Sequence, residues 1–150
     1  MRGERREISN IVFVLKYIDI MNDFFYKKVE AYKKAKAFVV YVYTLLNKFP
    51  DTERYSLCDQ IRRAAISIPS NIAEGLGRMS IRERLRFIEI AYGSLTEVTC
   101  QLDIAQSLEY ITPEELNKIE TLSDELARIM SGLRKALIEK MNNNKGDESE

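Results

Sequence analysis

Not one of the 150 residues is a histidine, so the usual general base near neutral pH and the commonest neutral metal ligand are both missing. Any chemistry would have to rest on carboxylates, two thiols and guanidinium groups. Glu74, Glu83, Glu89 and Glu97 fall in one central stretch, but di-iron bundles pair such glutamates with Glu-x-x-His motifs, which this chain cannot form. The four read as solvated or ion-paired carboxylates, and neither a metal nor a cofactor is expected. Cys58 and Cys100 lie inside apolar helical patterns, so both read as reduced core or near-core thiols of a cytosolic protein rather than as a disulfide. Gly75-Leu76-Gly77-Arg78-Met79-Ser80 precedes a helix start, where backbone amides could cradle a phosphate. It lacks the Walker spacing and lysine and follows no strand, so it reads as a glycine-rich helix connection. With no acid-base or nucleophile constellation, the chain is expected to be non-enzymatic and to have no small-molecule substrate.

Binding chemistry is better represented. Wound at 3.6 residues per turn, Gln60, Arg63, Ser67, Asn71 and Glu74 form a polar line beside an apolar stripe. Arg62, Arg63, Arg78 and Arg82 are candidates for nucleic-acid contacts or ion pairs, and Arg63 is expected to pair with a carboxylate such as Glu74 or Glu97. On the next helix Phe87, Ile90, Gly93, Ser94 and Glu97 lie at or beyond the edge of the core stripe. That face suits either a contact between subunits or a wide intramolecular packing surface. Lysines cluster from Lys27 to Lys36, arginines from Arg62 to Arg86, and acids from Glu97 onward. These blocks fit phosphate contacts, pairing of opposite charges between subunits, or plain solvated helix faces.

Four long helices are expected to position these groups. The 150 residues carry only six glycines and three prolines, which favours long amphipathic helices over a turn-rich β fold. The first apolar stripe starts near Phe25 and passes Val29, Tyr32, Val42, Leu45 and Phe49, with Pro50 as its stop. Asp51 or Thr52 would cap a second helix built on Leu57, Cys58, Ile61, Ala64, Ala65, Ile68 and Ile72, kinked at Pro69 and closed by Gly75 and Gly77. Ser80-Ile-Arg-Glu83 and Thr112-Pro-Glu-Glu115 are capping boxes that open a third and a fourth helix. Short connections place sequence neighbours antiparallel, which makes an all-α, up-down-up-down four-helix bundle.

The bundle is expected over residues 21–141. Residues 1–20 read as an N-terminal extension outside the core fold: a basic and apolar start resembles an export signal, but Lys16 and Asp19 interrupt it and no cleavage site follows. It is also shorter than a membrane span of roughly 20 apolar residues. Residues 142–150 are polar and read as a disordered tail. Lysine and arginine (23) balance aspartate and glutamate (23), so no overall field draws the chain to nucleic acid or an anionic membrane.

The run Tyr55-Ser-Leu-Cys-Asp-Gln60-Ile-Arg62-Arg63-Ala-Ala-Ile-Ser67-Ile-Pro69-Ser-Asn71-Ile-Ala-Glu74-Gly75-Leu-Gly77-Arg78, continued by Arg86-Phe87-Ile-Glu-Ile-Ala91-Tyr-Gly93-Ser94-Leu95-Thr-Glu97, resembles the signature of the bacterial 23S rRNA intervening-sequence proteins. The likeness extends from about Met21 to Leu137. It implies a four-helix bundle in the cytoplasm with no known enzyme activity. A related branch, the accessory variability protein of diversity-generating retroelements, forms a homopentameric barrel that binds a reverse transcriptase and nucleic acid. The resemblance therefore also implies a homopentamer, with RNA or a nucleic-acid-processing protein as partner. That branch is strongly basic, whereas this chain is neutral. The alternative is a protein-binding adaptor without nucleic-acid affinity.

Overall fold

The structure, a computed structural model, describes residues 29–146. The expectations for Phe25 and for residues 1–20 lie outside them. Four α-helices follow one another: α1 Glu30–Leu46, α2 Leu57–Leu76, α3 Ile81–Ser107 and α4 Pro113–Gly146. There is no strand among the described residues.

Each helix turns one stripe inward. Phe38, Val42 and Leu45 of α1, Ile61, Ala65, Ile68 and Ile72 of α2, Ile88, Leu95, Val98 and Leu102 of α3, and Ile119, Leu126 and Met130 of α4 are buried together. The three- and four-residue spacing of these positions is what one face of a helix requires. Burying each larger aliphatic side chain stabilises the fold by about 1.5–3 kcal/mol.

Around the core the helices pack in cyclic order: α1 on α2, α2 on α3, α3 on α4, and α4 back on α1. Contacts between them fix the directions. Lys34 pairs with Glu125 and Lys48 with Glu115, so α1 and α4 run antiparallel. Ser67 meets Ser94 while Gly75 meets Phe87, so α2 and α3 do too. Thr99 meets Ser123 and Glu89 meets Arg134 across α3 and α4. Three antiparallel interfaces in a closed ring make the fourth, α1 with α2, antiparallel as well.

The connections depart from expectation in one place. α1 does not run to Pro50. It stops at Leu46, and Lys48 and Phe49 donate back to the carbonyls of Leu45 and Leu46 at 3.0 and 3.2 Å. Phe49 is then buried against Tyr110, with ring centroids 5.3 Å apart. Asp51 and Thr52 do not cap α2 either; they belong to a 3-10 turn, Asp51–Glu53. The acceptor at the start of α2 is the Glu53 carboxylate, which takes the Leu57 amide at 3.2 Å, the Ser56 hydroxyl and the Tyr110 hydroxyl at 3.1 Å. Those donors hold the Glu53 carboxyl below its ordinary pKa, the Ser56 bond first.

Of the two capping boxes the Thr112 one is complete and the Ser80 one is half formed, with no return bond from the Glu83 carboxylate among the described residues. Thr112 and Glu115 exchange both bonds, 2.9 and 3.1 Å, and Ser80 accepts the Glu83 amide at 3.5 Å. α3 ends through Glu109 at φ 62°, which lets the Tyr110 amide reach back to the Ala105 carbonyl at 2.9 Å. α4 continues past the expected boundary at Met141 to Gly146.

Candidate functional site

The α2–α3 pair gathers most of the residues singled out in the sequence. Gln60, Arg63 and Ser67 of α2 line an open trough with Ser94 and Glu97 of α3, over a floor at Ala64. Its centre is a short hydrogen-bond chain. Asn71 donates to the Ser67 hydroxyl at 2.8 Å and to the Ser67 carbonyl at 2.7 Å, and Ser94 donates to the same hydroxyl at 2.9 Å. Pro69 has no amide for the carbonyl four residues back, yet α2 passes through it as one continuous helix. The carbonyl that Pro69 leaves without an amide is that of Ala65, and the Asn71 side chain bonds the Ser67 carbonyl instead.

Gln101 was not apparent from sequence. It is buried at 8% exposure, gives its Nε2 to Glu97 at 3.1 Å, and leaves its Oε1 without a partner. A glutamine nearly two turns before the end of a helix looks like a surface residue.

The arginines do not form one cluster. Arg62 turns the other way from the trough and donates to the Arg54 carbonyl at 3.3 Å. Arg63 pairs with Asp59, not with Glu74 or Glu97. Asp59 is one turn away, whereas Glu74 lies roughly 16 Å farther along the helix axis. Glu74 instead holds Arg78, whose guanidinium sits 4.8 Å from the Phe87 ring centroid. Arg63 and Arg78 are themselves roughly 22 Å apart along α2 and its exit. The second set, Arg78, Arg82, Arg84 and Arg86, surrounds the α2–α3 turn. Arg84 donates to the Arg78 carbonyl, Arg86 lies 3.8 Å from Glu83, and Arg82 has no ion pair among the described residues.

The second face of α3 also divides. Phe87 is drawn into the fold: a Cβ on Gly75 would stand 2.8 Å from the Phe87 Cβ. Ser94 is likewise engaged with Ser67. Ile90 and Glu97 are exposed, and a Cβ on Gly93 would meet nothing within 4 Å. Cys58 is buried, and burial pushes its thiol pKa up. Cys100 is exposed, against expectation, because it falls on the side of α3 opposite Leu95, Val98 and Leu102. Among the described residues no group of histidine, cysteine or carboxylate side chains is spaced to hold a metal, and no helix is long and apolar enough to cross a membrane.

The model of the 23S rRNA-intervening sequence proteins matches residues 27–132, which takes in the trough, the arginine turn and the outer face of α3. The chain belongs to that family. No curated protein matches it. Among solved structures it is similar to a protein of unknown function from the S23 ribosomal protein family of Bacteroides thetaiotaomicron, with a TM-score of 0.65 and 24% identity over 70% of this chain and 98% of that one. At that identity the likeness bears on the fold, a bundle of the same shape, and leaves the trough to be interpreted from its own residues.

Proposed function

We propose that this family member is a non-enzymatic, homo-oligomeric binding or scaffold protein that self-assembles through the outer face of α3. One observation carries the proposal. Ile90, Gly93, Glu97 and Ile104 follow each other at three-, four- and seven-residue steps along the outside of α3, with both isoleucines exposed and no neighbour over Gly93. A bare glycine between exposed isoleucines on a long helix lets another helix approach closely, and such a strip is poorly used if it only meets water. The resemblance set out above implies a five-membered ring. Light scattering of the full chain tests the assembly: a mass several times 17.4 kDa is expected, and that single mass at every concentration would defeat it.

RNA association is the second element, supported by Arg82, which has no carboxylate partner among the described residues, standing in an arginine-rich turn. Because the chain is neutral, a phosphate contact would rest on this turn alone. The protein-binding adaptor is supported by the opposite observation, that Asp59 and Glu74 already engage Arg63 and Arg78. Gel shifts with structured RNA across a salt series separate the two. Phosphate contacts predict binding that falls steeply with salt and weakens in Arg82→Ala; an adaptor predicts no shift at any salt.

A further inference from the structure

Nine large apolar side chains are exposed among the described residues, and six of them fall on two separate surfaces: Ile90, Ile104 and Leu108 on the outer face of α3, and Val40, Tyr43 and Ile66 on the α1–α2 side. The second surface is a groove. Val40 and Ile66, 58% and 45% exposed, stand along it with Pro69 and Ala73, and Lys36 crosses its rim. No acidic residue lines it, and Lys36 has no ion pair among the described residues.

We propose that this α1–α2 groove receives the outer face of α3 from a second copy of the chain. The proposal rests on the homo-oligomer reading above and names the other half of the contact. Three features lead to it. A closed ring of more than two copies needs a heterologous contact, in which each copy offers two different patches; the groove and the α3 face are different patches. They also lie on neighbouring sides of the bundle, because α1, α2, α3 and α4 pack in that cyclic order. A contact between neighbouring sides turns at every step, as a closed ring requires, where opposite sides would stack into a filament. Finally, chemistry and charge are complementary. The groove is apolar with a free lysine on its rim, and the α3 face presents Ile90, Gly93 and Ile104 around Glu97. The Glu97 carboxylate has the neutral Gln101 amide as its bonded partner within the chain. Gly93 on one side and Ala73 with Pro69 on the other keep the backbones from being held apart.

Surface-blocking variants of the full chain test this. Gly93→Arg blocks the α3 face and adds its bulk where nothing lies within 4 Å; Val40→Asp blocks the groove at a side chain already 58% exposed. Circular dichroism checks that both stay helical. In a heterologous contact each variant alone is monomeric, but an equimolar mixture has one intact groove and one intact α3 face, so it forms a dimer containing one of each and nothing larger. Lys36→Glu is expected to weaken assembly about tenfold, and adding Glu97→Lys to the same chain to restore it. Val40→Asp assembling like the natural chain would overturn the groove as the seat. Val40→Asp assembling by itself beside a Gly93→Arg chain that stays monomeric and outside that assembly in the mixture would replace it with a self-complementary α3 contact. If Val40→Asp does not fold, the charge-reversal pair decides: no weakening by Lys36→Glu, or no recovery with Glu97→Lys, overturns the proposal. A natural chain that is monomeric throughout defeats the homo-oligomer reading itself, which the mixing result alone would not.

Discussion

Gly75→Ala and Gly132→Ala make the same chemical change at two helical glycines, and the fold predicts opposite outcomes. Near Gly75 the new Cβ would stand 2.8 Å from the Phe87 Cβ, 3.4 Å from the Arg84 carbonyl oxygen and 3.7 Å from the Phe87 Cγ. Carbon atoms prefer a separation of about 3.5–4.0 Å, and the closest neighbour is a Cβ fixed to the α3 backbone, not the tip of a flexible chain. The exit of α2 must therefore move away from α3, an overpacking cost of about 1–3 kcal/mol. At Gly132 nothing lies within 4 Å, and alanine gains about 1 kcal/mol from helix propensity. Gly75 lies in the last turn of α2, where that gain is smaller, so the two variants should differ by about 2–3 kcal/mol. Urea unfolding of both beside the natural chain reads the difference directly from the midpoints if the slopes are unchanged. In a thermal melt the expectation is a lower Tm for Gly75→Ala and a higher one for Gly132→Ala. Equal stabilisation by the two would refute the close approach of α2 and α3 at this turn, and with it the intramolecular role of Phe87.

Other expectations follow from the same contacts. Arg63→Ala should lower stability by less than about 1 kcal/mol, because the Arg63–Asp59 pair is a same-helix pair at the surface; a loss of several kcal/mol in a chemical melt would mean that Arg63 has a buried partner in the assembly. Glu109→Gly should raise stability by about 1 kcal/mol by relieving a left-handed conformation at φ 62°, and a loss on thermal melting would contradict that. Glu53 and Glu115 both have pKa values below the ordinary 4.5, Glu53 held down first by the Ser56 hydroxyl and Glu115 first by Lys48. A depressed folded-state pKa contributes stability that is present above the unfolded value and lost as pH falls through the folded one. Stability should therefore decline below about pH 4.5, and Glu53→Gln with Glu115→Gln should flatten that decline in melts taken from pH 6 to pH 3; an unchanged acid limb would show that these carboxylates do not govern it.

Much of the fold was legible because its signals are local. The Thr112 and Ser80 capping boxes mark the starts of α4 and α3 in four residues each, and the inward stripes need only helical spacing. The start of α2 was not legible, since Pro50-Asp51-Thr52 reads locally as a stop and a cap; what displaces the helix to Leu57 is Glu53, whose carboxylate is held by Tyr110 57 residues away in sequence. The polar trough was half legible. Gln60, Arg63, Ser67 and Asn71 share a face by spacing, but the burial of Gln101 depends on tertiary packing that its own helix does not announce. The partner of Arg63 was misjudged because a carboxylate one turn back competes ahead of one three turns on. The α1–α2 groove went unseen because Val40 and Ile66 lie off both core stripes, and nothing in either helix alone places them side by side.

Self-assembly through α3 is the central claim, and the molar mass of the natural chain beside Gly93→Arg, measured by multi-angle light scattering over a micromolar concentration range, tests it most directly. The expected result is a mass several times 17.4 kDa for the natural chain and a helical monomer for the variant. A natural chain that stays at 17.4 kDa throughout, or a Gly93→Arg variant that keeps the full assembled mass, would contradict it.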